Sequence, residues 1–79
     1  MKIIVLNLPR DLTEEGLAEL FKEHGSIDAC DLVMDANTGI SKGFGFVEMP
    51  AEEEAEAAIT ALHGTRVNKS KIRVKPATS

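Results

Sequence analysis

The segment at residues 42–49, Lys-Gly-Phe-Gly-Phe-Val-Glu-Met, constrains the fold of this chain more than any other. Successive side chains of a β-strand point to opposite faces, so two phenylalanines, Phe44 and Phe46, share a face with Lys42 and Glu48. The other face carries only glycine, valine and methionine. Burying the charged face would be costly, whereas burying the other costs little. The segment therefore predicts a strand with both phenylalanine rings on an open sheet face.

Five further segments carry the period of a strand or a helix. A β-branched run that stops at a proline predicts a first strand at 2–6. After it comes a helix capped by Thr13 and stopped by Gly25, and then a strand at 27–34. The strand at 42–49 follows, and a helix at 52–62 and a strand at 71–75 complete the six predicted elements.

In two of these elements the sequence pattern predicts which side chains face the core. The first helix repeats Leu17, Leu20, Phe21 and His24 at helical spacing. The second strand puts Cys30, Leu32 and Met34 on one face and leaves Asp31 on the other.

The order strand, helix, strand, strand, helix, strand is the split βαβ pattern. It predicts an α+β, ferredoxin-like sandwich in which two helices cover one face of a four-stranded antiparallel sheet. Seventy-nine residues suffice for one small domain. We expect that domain at residues 1–76, followed by a short tail at 77–79.

Charge is distributed unevenly along the chain. The net charge is −4, with 13 acidic and nine basic residues. Every acid lies at or before Glu56, and the basic residues beyond it are Arg66, Lys69, Lys71, Arg73 and Lys75. The acidic total therefore does not exclude a polyanionic ligand, although Asp31 and Glu48 are expected on the same side as the rings.

The segment at 42–49 also matches the octapeptide of the RNA recognition motif, except that Met49 replaces an aromatic residue. Ile3-Ile4-Val5-Leu6-Asn7-Leu8-Pro9 resembles the shorter first-strand motif of the same family, and the resemblance extends over essentially the whole chain. It implies that the first and third strands are neighbours, with Ile4 beside Phe44 and Phe46. Relatives usually carry an aromatic residue at Ile4, so its absence predicts modest affinity.

The resemblance implies a protein that binds single-stranded RNA across its sheet. Bases would stack on Phe44 and Phe46 while basic side chains hold phosphates. The predicted RNA-binding residues are Lys2, Ile4, Asn7, Lys42, Phe44, Phe46, Lys71, Arg73 and Lys75. Single-stranded DNA is kept as a second ligand, and a monomer is expected.

Two other classes of function stay open. Net negative charge, the missing aromatic at Ile4 and acidic helices favour a protein-interaction module that docks a partner on its helical face. An acylphosphatase-like hydrolase would need a glycine-bearing phosphate loop with an arginine after the first strand. Arg10 is there, but Asn7-Leu8-Pro9 lacks the glycine.

Other chemistry has little support in the sequence. His24, Cys30 and His63 lie on different predicted elements without ligand spacing, so no metal or cofactor is expected. No nucleophile comes with a matched base, and no phosphate loop opens a helix, so the protein is not expected to be an enzyme. A single cysteine and the lack of a signal or membrane segment predict an intracellular, cytoplasmic protein.

Overall fold

The computed structural model of the chain describes residues 1–77. Its elements are β1 (Lys2–Leu6), α1 (Glu14–Lys22), β2 (Ala29–Met34), β3 (Ser41–Glu48), α2 (Glu52–Leu62), β4 (Arg66–Val67), β5 (Ser70–Lys71) and β6 (Arg73–Pro76). All six predicted elements are present. The pair β4 and β5 was not predicted.

Four of the strands form one antiparallel sheet in the order β2-β3-β1-β6. The inward side chains of β1 and β3, among them Ile3, Val5 and Val47, are fully buried. Both helices cover that face, because Leu17 and Phe21 of α1 and Ala55 and Ala58 of α2 belong to the same buried cluster. The predicted α+β, ferredoxin-like sandwich is therefore confirmed.

The start of α1 was predicted correctly, but its end was not. Thr13 caps the helix, since its side-chain oxygen accepts a hydrogen bond from the Gly16 N–H at 3.0 Å. The predicted helical repeat ran two residues too far, because α1 ends at Lys22 and excludes His24. The His24 N–H donates to the Phe21 carbonyl three residues back, a tightening that is common where a helix ends.

Gly45 allows three elements to pack closely. A Cβ atom there would lie 2.6 Å from the Asp31 carbonyl oxygen and 3.0 Å from a Leu17 methyl group. Only a glycine lets β3 approach the backbone of β2 while α1 sits on the same face. The placement of Gly45 on the buried face fixes Phe44 and Phe46 on the other.

The prediction that Met34 shares the inward face of β2 is wrong. The pairing of β2 with β3 shifts between Leu32 and Met34, and Met34 is 48% exposed while Leu32 is buried. An irregular pairing re-aims the side chains that follow it. Gly43 lies in the stretch of β3 opposite this shift and has a φ of +86°, which favours glycine.

The last predicted strand is divided. Only Arg73–Pro76 pairs with β1, whereas Lys71 belongs to a two-stranded hairpin with Arg66. Asn68 and Lys69 both have positive φ angles, as the tight turn of such a hairpin requires. Of the predicted tail, residues 78 and 79 lie outside the described residues, and the domain boundary at 76 stays a prediction.

No helix among residues 1–77 is long and apolar enough to cross a membrane.

Candidate nucleic-acid interface

The sheet face away from the helices is organised in rows of cross-strand neighbours. The central row runs from Lys75 on β6 through Ile4 on β1 and Phe46 on β3 to Asp31 on β2. Directly paired residues of antiparallel strands share a face, so these four side chains lie side by side. The predicted proximity of Ile4 to Phe46 is therefore observed.

Phe44 and Phe46 form the apolar part of this face. Both are partly buried, their ring centroids are 6.3 Å apart, and their planes meet at 88°. This edge-to-face arrangement is one that aromatic pairs favour. The two rings therefore support each other, but they present their faces in different directions.

The surroundings of Phe46 are mixed in charge. The ammonium nitrogen of Lys2 lies 4.9 Å from the centroid of its ring, within the range of a cation–π contact. Asp31 is its direct neighbour on β2, and Glu48 pairs with Lys2. A shallow depression is lined by these residues together with Ala29 and Val47.

Phe44, in contrast, borders a basic cleft of about 850 Å³ at the end of the sheet where β1 stops and β3 begins. We call it the basic cleft. Its lining residues are Leu6, Asn7, Leu8, Arg10, Lys42, Gly43, Phe44, His63, Gly64, Lys71, Ile72 and Arg73. Four of them are lysine or arginine and none is acidic.

Backbone hydrogen bonds hold the walls of the basic cleft together. The Leu8 N–H donates to the Gly43 carbonyl at 2.8 Å, and the Gly64 N–H donates to the Ile72 carbonyl at 2.9 Å. Asn7, which also lines the cleft, has a φ of +60°, a backbone conformation that asparagine adopts more readily than most residues. These backbone contacts define the shape of the cleft.

Two side chains add to these backbone ties. The Asn7 amide donates to the Lys71 carbonyl at 2.7 Å. The Nδ1 atom of His63 lies 3.1 Å from both the N–H and the carbonyl oxygen of Val74. Asn7 thus has a structural contact in addition to its predicted contact with RNA.

The nine predicted site residues fall into two groups. Four of them lie in the middle of the sheet face or at the end away from the basic cleft: Lys2, Ile4, Phe46 and Lys75. The remaining five line the basic cleft: Asn7, Lys42, Phe44, Lys71 and Arg73.

Arg10 and His63 also line the basic cleft but were not predicted as site residues. From the sequence, Arg10 was considered for a hydrolase and His63 as a candidate metal ligand. They are far apart in the sequence, and the fold brings both to the wall of this cleft. The sequence carries no local signal that would have placed them together.

The only cysteine, Cys30, shows no sign of reactivity. Burial, with help from the negative charges of Glu14 and Asp31, raises the pKa of its thiol to about 11, against a partial lowering by Lys22. The thiol is therefore protonated at neutral pH. Among residues 1–77 no three His, Cys, Asp or Glu side chains are grouped as metal ligands would be.

Comparison with known proteins identifies the family of this chain. The model of the RNA recognition motif matches residues 3–73. The chain belongs to the RNA recognition motif family. The two phenylalanines and Lys42 stand in the octapeptide of this motif.

Three relatives illustrate the range of the RNA recognition motif. The chain is 46% identical to the "Putative RNA-binding protein RbpB" of a Nostoc species, covering 92% of this chain and 78% of that protein. It is 42% identical to the chloroplastic 28 kDa ribonucleoprotein of Spinacia oleracea, covering 96% of this chain but only 33% of that protein. A solved Sxl-lethal protein/RNA complex superimposes with a TM-score of 0.93 at 35% identity, covering 99% of this chain and 47% of that chain.

The relatives differ in length and in location. The chain spans about a third of the spinach protein and about half of the solved chain, so those proteins contain further sequence. The spinach relative is chloroplastic, and the expected cytoplasmic location of this protein stays a prediction.

Proposed function

We propose that this protein binds single-stranded RNA on the open sheet face, with bases stacked on Phe44 and Phe46. The observation that carries the proposal is the pair of partly buried rings on a face without helices, bordered by Lys2, Lys42 and Arg73. Rings in such a position offer π-faces to unpaired bases. The names of the relatives, and the RNA in one solved complex, support the same class of ligand.

The basic side chains supply contacts to the phosphates. Lys42 and Arg73 border Phe44 in the basic cleft, and Lys75 lies in the row that contains Ile4 and Phe46. Such contacts bind without reading sequence and weaken as salt rises. We therefore expect strongly salt-dependent binding to RNA, and weaker selectivity between RNA and single-stranded DNA than between single and double strands.

A titration of labelled single-stranded RNA of mixed sequence, followed by fluorescence anisotropy at fixed salt, tests this proposal. The double variant Phe44→Leu/Phe46→Leu keeps apolar volume but removes both π-faces. It should bind far more weakly, while the matched variant Phe44→Tyr/Phe46→Tyr should bind nearly as the parent does. Equal affinity of the leucine variant and the parent, with both folded by circular dichroism, would sink the proposal.

A second candidate is a protein-interaction module that uses the helical side. Exposed glutamates crowd the start of α2, with Glu52 and Glu53 in its first turn and Glu56 one turn later. Acids in a first turn also interact favourably with the helix dipole, so a partner is not needed to account for them. Protection of the α2 amides from hydrogen exchange by a basic partner, without any RNA binding, would favour this candidate.

Catalysis has less support than either form of binding. The relatives are named for binding RNA, and Asn7 and Leu8 after β1 do not form the glycine-bearing loop that an acyl phosphate hydrolase needs. An assay of acyl phosphate hydrolysis by the parent protein is expected to give no turnover above the buffer rate.

A further inference from the structure

The basic cleft concentrates positive charge in a chain that is acidic overall. Net charge is −4, yet four of the nine lysine and arginine residues line this one cleft and no carboxylate does. Concave surfaces lined by one sign of charge concentrate ions of the other sign. The charge of the cleft therefore favours an anionic ligand.

The cleft is continuous with the face on which RNA is proposed to lie. Lys42 and Phe44 line the cleft and also belong to the strand that carries the stacking rings. A strand of RNA that leaves Phe44 in this direction enters the basic cleft. In the opposite direction it passes Phe46 and meets Asp31 and Glu48.

Arg10 and Arg73 approach the cleft from different elements. Arg10 lies on the loop after β1, beyond the end of the sheet, whereas Arg73 begins β6 and pairs with Leu6. A guanidinium group can donate two parallel hydrogen bonds to one phosphate. The volume, about 850 Å³, falls within the range of pockets that enclose small ligands.

We propose that the basic cleft binds a phosphate group of the RNA beyond the nucleotide stacked on Phe44, with Arg10 and Arg73 as its main contacts. The RNA site thus continues past the end of the sheet and takes a further nucleotide there. Because the opposite end of the site is mixed in charge, with Asp31 and Glu48 beside Lys2, lengthening the RNA strengthens binding mainly at the Phe44 end. This inference rests on the proposed function, since it assumes that RNA occupies the sheet face.

The Arg10→Gln variant, compared with Lys22→Gln, tests the inference. Both variants remove one positive charge, but Lys22 is exposed at the end of α1 in the helical layer. Affinity for a single-stranded RNA long enough to fill the site is measured over a range of salt concentrations. Arg10→Gln should weaken binding about fivefold to tenfold at about 50 mM salt and lower the slope of log K against log salt by about 0.7. Lys22→Gln should match the parent.

A third variant, Arg10→Lys, separates charge from geometry. It keeps the positive charge but loses the paired hydrogen bonds, so it should keep the salt slope and recover only part of the affinity. Thermal unfolding midpoints of all three variants serve as the control for folding. Arg10 is exposed, so these midpoints should equal that of the parent.

The source of the phosphate is resolved by the RNA used. One arm compares oligonucleotides with and without a terminal phosphate, and the other adds one nucleotide at either end. A gain from the terminal phosphate that Arg10→Gln abolishes identifies a strand end in the cleft. A gain that appears only with the added nucleotide, and is lost in the same variant, identifies an internal phosphate.

The inference and the proposed function fail in different ways. If Phe44→Leu/Phe46→Leu weakens binding but Arg10→Gln behaves as Lys22→Gln with every oligonucleotide, the cleft does not bind phosphate and the inference is wrong. If the leucine variant also binds as the parent does, the proposed function itself is wrong.

Discussion

The two ends of the sheet face differ in charge although the same strand, β3, passes through both. At one end Phe44 borders the basic cleft, which has four cationic side chains and no acidic one. At the other end Phe46 lies beside Asp31, and Lys2 and Glu48 form the neighbouring pair. Net charge is therefore a poor guide to the ligand of this protein, because the distribution of charge over the surface decides where an anion can bind.

The single substitutions Phe44→Leu and Phe46→Leu test whether the two rings are equivalent, and their effects should be the largest. Loss of Phe44 should weaken RNA binding about 5- to 150-fold, the range expected for one stacked base. Loss of Phe46 should cost less, because a base that stacks there displaces the Lys2 ammonium already 4.9 Å from the ring centroid. Anisotropy titrations at one salt concentration give both values.

A matched pair of tyrosine variants, Phe44→Tyr and Phe46→Tyr, controls for altered packing of the rings. The RNA affinity of each variant should lie within about twofold of the affinity of the parent. A larger loss from Phe46→Leu than from Phe44→Leu would reverse the comparison between the two ends.

Charge removal at each end should produce smaller and opposite effects. Asp31→Asn removes a negative charge beside Phe46 and should strengthen RNA binding about twofold to fivefold. Lys42→Gln removes a positive charge beside Phe44 and should weaken it by a similar factor. Isothermal titration at low salt measures both, and the difference should shrink as salt is added.

Glu56→Gln on the exposed side of α2 is the control for Asp31→Asn, because it changes net charge by the same amount away from the sheet face. It should leave affinity unchanged. If Glu56→Gln strengthened binding as much as Asp31→Asn, overall charge rather than its position would govern the interaction.

The smallest effect concerns Cys30, which precedes Asp31 on the edge strand β2. Burial first, then Glu14 and Asp31, raises the pKa of its thiol from 9.0 to about 11. The folded state therefore holds the thiol proton more tightly than the unfolded state does. Its contribution to the free energy of unfolding is present below pH 9 and is lost as the pH rises toward 11.

Denaturant unfolding of the parent and of Cys30→Ala, measured at several alkaline pH values, isolates this contribution. The parent should lose more stability than the variant as the pH rises above 9. Asp31→Asn should lower the pH at which the thiol reacts with iodoacetamide. Reaction of Cys30 with a midpoint at its ordinary pKa would contradict the account of its environment.

Most of the fold could be predicted because several local signals agreed. The alternation at residues 42–49 admits only one register without burying Lys42 and Glu48, and the structure has that register. Thr13 likewise marked the start of α1, and the spacing of apolar residues in α2 marked which face of that helix is buried. Family membership is consistent with all of these predictions.

The errors arose where tertiary contacts override local pattern. Met34 continues the alternation of β2 in sequence, but the shifted pairing with β3 exposes it. The hairpin of β4 and β5 has only two residues per strand, too few to show a period, and Lys69 stands where glycine would have signalled the turn. The basic cleft could be predicted only in part: Lys42, Lys71 and Arg73 were expected to bind RNA. That Arg10 and His63 line the same cleft could not be predicted, because these two residues come from distant segments.

Backbone amide chemical shifts, recorded as single-stranded RNA of mixed sequence is added, test the central claim most directly. Binding across the sheet with extension into the basic cleft predicts large shifts at Phe44, Phe46, Gly43 and Gly64, and little change at Glu53 and Glu56 on α2. Shifts confined to the helices, or the absence of shifts at RNA concentrations that saturate other single-stranded RNA binders, would contradict it.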